Sequence, residues 1–157
     1  MTIIIQEQLA SQVIRSLSIH AEASVRLEAV ERIEDPEARR KAISPLAADF
    51  KLCAYALGNM LQLAREMQID SLPDKTSLLS AGSQMACSLN SAGETAAQLA
   101  RSDHPVQVRP PSGLIMNQVQ LDQLFDDQTR AWLLNNATKE TRRDLKALRA
   151  SLSLSEF

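Results

Sequence analysis

Apolar residues recur at alternating steps of four and three through Leu46, Phe50, Cys53, Leu57, Met60, Ala64 and Met67. That spacing lines one side of an α-helix. The flanks are apolar as well, with Ala47, Ala54 and Leu61 to one side and Leu52, Ala56 and Leu63 to the other. A helix that is apolar nearly all round is buried by its neighbours. Residues 45–69 are therefore expected to be the central buried helix of a bundle. Lys51, Asn59 and Gln62 break the run well short of the ~20 apolar residues a membrane span requires.

The same reading places the other elements. Ile5, Leu9, Val13 and Leu17 predict a first short helix, and Ile19, Ala23, Leu27, Val30 and Ile33 a second one out of phase with it. Ser18, between the two stripes, suits an N-cap; the rival is one kinked helix over 5–34. Asp35-Pro36-Glu37 is a helix start, because Asp35 caps, Pro36 presets the first-turn φ and Glu37 faces the positive dipole end. Ser44-Pro45 repeats that signal and predicts a second start. Residues 70–74 read as a loop, and 75–101 as a long helix. Its stripe of small residues (Gly82, Ala86, Gly93, Ala97, Ala100) predicts close approach to the central helix, since each glycine costs ~1 kcal/mol against alanine inside a helix.

A proline-rich connector at 103–113 separates an expected helical core, 1–102, from a C-terminal part, 114–157. There Asp126 and Asp127 offer a cap for a helix containing Trp132 and Leu133, ended by Asn135-Asn136. Thr138 caps a last helix reaching about Leu152. The expected fold is an all-α bundle of about five to seven helices around 45–69, closed by a C-terminal helical hairpin.

Composition narrows the function classes. Apolar residues are 45%, charged residues 23%, and the net charge is −2, which argues against a protein that coats nucleic acid or membranes over its whole surface. Cys53 and Cys87 both lie on apolar stripes and read as buried, reduced thiols. With no CxxC spacing and no His cluster, neither a metal site nor a cofactor is expected. The N-terminus lacks a basic segment and Glu7 cuts its apolar run short, so a cytoplasmic location is expected.

No nucleotide-binding loop, HExxH, GxSxG or DxDxDG pattern is present, and a non-enzyme is expected. Arg15 and His20 have the R-x4-H spacing of the helical HEPN ribonucleases. The resemblance is confined to that spacing, and it implies a helical RNase as the enzymatic alternative. His104 lies beside Asp103 in the connector with no nucleophile placed near it. Residues 121–133, LDQLFDDQTRAWL, resemble a short stretch that follows the β-domain of MCE-type lipid-transport proteins; the likeness covers that stretch alone and carries no function over.

Two surfaces stand out. Ile4, Ile5, Leu114, Ile115, Phe125, Trp132 and Leu152 lie outside the central packing, and exposed together they would exceed the apolar patch a monomer tolerates. They are the expected partner-binding residues, and the chain is expected to self-associate. Lys139, Arg142, Arg143, Lys146 and Arg149 make the last helix basic. The function expected is a non-catalytic protein–protein interaction module: a small cytoplasmic assembly, adaptor or regulatory subunit. The alternative is a nucleic-acid-binding regulator using the 138–152 helix.

Overall fold

A computed structural model describes residues 2–69, 72, 74–101 and 118–151. The protein is an all-α bundle, with six helices among the described residues. These are α1 (Thr2–Glu31), α2 (Pro36–Glu66), α3 (Lys75–Arg101), α4 (Gln118–Leu124), α5 (Asp127–Asn136) and α6 (Lys139–Ser151). The connector at 103–113, with His104, and the positions Leu114, Ile115 and Leu152 lie outside the described residues.

α1 is one helix, not two. The change of stripe at Ser18 marks a change of neighbours instead of a break. Leu9, Val13, Ile14 and Leu17 belong to a cluster shared with Phe125, Trp132, Leu133 and Leu145. Ala23, Leu27 and Val30 belong to a second cluster, with Ile43, Phe50, Ala92, Ala96 and Leu99. Ser18 caps nothing; its hydroxyl donates back to the Ile14 carbonyl at 3.2 Å, as serine does inside a helix.

α2 likewise runs straight through the expected start at Pro45. Its real start is at Asp35, whose carboxylate accepts from the Ala38 N–H at 3.1 Å. An interior proline costs a helix about 3 kcal/mol. Here Pro45 is on the exposed side of the helix. Ile43, Leu46, Ala47 and Phe50 are buried on both sides of it, and that packing outweighs the local loss. Beyond Glu66 the Lys75 ammonium donates to the carbonyls of Arg65 (2.8 Å) and Met67 (2.6 Å). The buried Ile69 and Leu72 hold the turn into α3.

α2 and α3 make the most extensive helix pairing, and the small-residue stripe explains it. A Cβ on Gly82 would come 2.8 Å from Leu61 Cδ2. One on Gly93 would come 2.7 Å from Lys51 Cγ and 3.4 Å from the Ala47 carbonyl oxygen. Gly93→Leu is therefore expected to lower stability by roughly 1–3 kcal/mol despite leucine's better helix propensity. Chemical denaturation reads this directly, and a rise in stability would mean that α3 can step away from α2 at no cost.

The C-terminal helices are built onto the same core. α5 and α6 pack along α1, and α4 packs against α3. The turn between α5 and α6 is tied down where the Thr138 N–H donates to Ser11 Oγ of α1 at 3.1 Å. Asp126 caps α5 through the Thr129 N–H at 2.7 Å. That bond, helped by the Ser77 hydroxyl and the Arg130 guanidinium, holds the Asp126 carboxyl below the usual carboxylate range. Thr138 caps α6 through the Thr141 N–H at 3.1 Å. Among the described residues no helix is long and apolar enough to cross a membrane.

Candidate interaction surface

The inner side of α2 is buried as its periodicity requires: Phe50, Leu57 and Leu61 are covered by α1 and α3. Its outer side is not. Leu52 is 67% exposed, Tyr55 73% and Leu63 41%. The bundle thus corrects the expectation that neighbours surround this helix on every flank. α1 and α3 cover an arc of it, and the flank formed by Leu52 and Leu63 faces solvent, with Ala56 half-buried beside them. Residues three, four and seven apart share a helical face, so Ser44, Ala48, Leu52, Tyr55, Asn59 and Leu63 form one continuous exposed strip. Lys41 lies at one end of it and Glu66 at the other, both exposed.

Beside this strip, α1 and α2 diverge enough to leave a groove of ≈ 460 Å³. Ile19, Phe50, Leu52 and Cys53 supply its apolar lining, and Arg15 and Asp49 are among its charged residues. The Cys53 thiol lies 3.4 Å from Ser16 Oγ. Burial raises its pKa, with the serine contact opposing that in part, so it is held as the unreactive thiol. Cys87 departs from expectation, since it is exposed; both cysteines are free.

The Arg15–His20 spacing does not produce a paired site. Five residues apart on one helix, the two side chains point to different sides. Arg15 is exposed, while His20 is 1% exposed and its Nε2 lies 2.9 Å from Ser88 Oγ of α3. The histidine is a polar contact inside the α1–α3 interface. Among the described residues no three His, Cys, Asp or Glu side chains are grouped to hold a metal.

The expected partner-binding residues are redistributed. Phe125 (0% exposed) and Trp132 (5%) lie in the same core cluster as Leu9, Ile14 and Leu17. They are used within the chain and are not available to a partner, because α5 and α6 fold back onto α1. Ile5 is half-buried near the start of α1. Ile4 falls in the same helix, but its side chain is outside the described residues, as are Leu114, Ile115 and Leu152.

The basic helix is also corrected at one position. Lys139, Arg143 and Lys146 are exposed on α6 and Arg142 is half-buried. Arg149, expected on the same outer face, is 3% exposed. Its guanidinium grips the Asp122 carboxylate of α4 with two bonds, Nη1 to Oδ2 at 3.0 Å and Nη2 to Oδ1 at 2.9 Å. It is a structural tie between helices and presents no charge to a ligand.

Compared with protein-family models, with curated proteins and with solved structures, the chain matches none.

Proposed function

We propose that the protein is a non-catalytic interaction module, a small assembly, adaptor or regulatory subunit, that holds another polypeptide on the outer face of α2. The observation that carries this reading is the exposure of Leu52 and Tyr55 side by side on a well-packed helix. Tyrosine and leucine there cost the free protein apolar contact with water, which a partner removes at roughly 25 cal/mol per Å². Tyrosine is also among the residues that dominate binding energy when a partner covers them. The two free thiols, one of them exposed, suit a reducing compartment such as the cytoplasm.

The test is a photo-cross-linking amino acid in place of Tyr55, activated in living cells. A covalent adduct with a protein is expected there and none at Arg143. If position 55 captures no polypeptide, the reading fails.

A second reading is favoured by one observation. Lys139, Arg143 and Lys146 remain exposed on one side of α6, next to Arg142, a stripe that suits nucleic-acid phosphates. Binding to generic duplex DNA that weakens steeply with added salt would support it. Loss of Arg149 from the exposed set leaves that stripe shorter than the sequence implies.

A further inference from the structure

The strip on α2 is complementary to itself. Its centre line between Lys41 and Glu66 is neutral, with Ser44, Pro45, Ala48, Leu52, Tyr55, Asn59, Gln62 and Leu63 all exposed, and the exposed charges of Asp49 and Lys51 flank it on either edge. Opposite charges thus bracket an uncharged, largely apolar centre, about 37 Å apart at ~1.5 Å per residue. Lys51, on one edge of the strip, has its Cγ over Gly93 of α3.

We propose that the partner on this face is a second copy of the chain, docked antiparallel across a two-fold axis that passes between Leu52 and Tyr55. A closed dimer requires one patch to meet itself, and this register meets that demand along the centre line of the strip. Leu52 faces Tyr55 of the other copy, Ala48 faces Asn59, Ser44 faces Leu63, and Lys41 faces Glu66. Because the axis duplicates each contact, Tyr55 packs on Leu52 twice and the ion pair forms twice. A parallel pairing would instead set Lys41 against Lys41 and Glu66 against Glu66, so charge selects the direction. The proposal rests on reading the α2 face as a protein-binding surface and names its occupant.

One helix face buries less than the standard interface of ~1,600 Å². The dimer is therefore expected to be dissociable, with a dissociation constant on the order of micromolar.

The test uses the full chain. Sedimentation over a concentration series should show the 17.3 kDa protomer passing reversibly to a dimer. Leu52→Glu should abolish the dimer without changing the circular dichroism spectrum, since the residue is outside the core. Lys41→Glu and Glu66→Lys should each weaken association about tenfold, two surface pairs being turned from attraction to repulsion. The double exchange should restore it. Mixed Ala48→Cys and Asn59→Cys chains, in a Cys87→Ser background, should form the heterologous disulfide in preference to either self-link.

Monomers at several hundred micromolar would overturn the proposal, and so would a dimer indifferent to Leu52→Glu. Preferential self-linking of Ala48→Cys chains would overturn the antiparallel register. A monomer that still cross-links to another protein through position 55 would leave the interaction-module reading intact and remove only this occupant.

Discussion

Leu57→Asp is expected to leave the protein unfolded. Leu57 has no exposed surface and belongs to the larger core cluster, with Leu61, Leu78, Met85 and Leu89 among its members. Truncating such a leucine to alanine costs 2–5 kcal/mol by itself. An aspartate adds the cost of burying a carboxylate with no partner, or of protonating it. The sum reaches the ~5–15 kcal/mol that holds a typical domain together. Leu52→Asp on the same helix is the internal control. That side chain is 67% exposed, so the change should move the melting temperature little. Thermal unfolding followed by circular dichroism separates the two. If both variants melt near the parent, the assignment of inner and outer sides of α2 is wrong.

That contrast also shows where sequence reasoning stops. The inner stripe of α2 and the extent of α3 are legible because helical period and burial are linked locally. The caps at Asp35, Asp126 and Thr138 are legible because a cap needs only a side chain and the N–H three residues on. The outer face of α2 was not. Leu52, Ala56 and Leu63 look the same in sequence whether a neighbour covers them or not, and the number of covering helices is a tertiary fact. The clue available was width, since an apolar arc broader than core packing needs leaves a remainder that faces something else.

Helix continuity is hidden in the sequence for a related reason. Ser18 and Pro45 are local stop signals of about 1–3 kcal/mol, and both lost to packing on either side of them. The positions of Arg149 and His20 are not legible in the sequence because their partners are distant in it. Asp122 lies 27 residues from Arg149, and Ser88 lies 68 residues from His20. A charge stripe read from one helix alone assigns every cation to water. The fold decides otherwise when a carboxylate on another helix is placed to meet one of them.

The Arg149–Asp122 pair supplies the second large effect. Asp122→Ala is expected to cost about 3 kcal/mol, because it removes two charge-assisted bonds from a guanidinium that is 3% exposed. The aspartate itself is 16% exposed, which places the loss at the lower end of the range for a broken buried pair. Arg149→Met should cost less. It deletes the expensive charge, keeps an apolar chain of similar length, and leaves behind a carboxylate that has some access to water. Combining Arg149→Met with Asp122→Ala should then be no more damaging than Asp122→Ala alone, since neither charge remains to be stranded. Urea denaturation of the four proteins closes this cycle. Strict additivity of the two single changes, or single losses below about 0.5 kcal/mol, would mean that the pair behaves as an ordinary surface ion pair. In that event the burial of Leu121, with Leu124 packed beside it, would account for how α4 is held to the bundle, and Arg149 would count with the basic stripe from which the structure removes it.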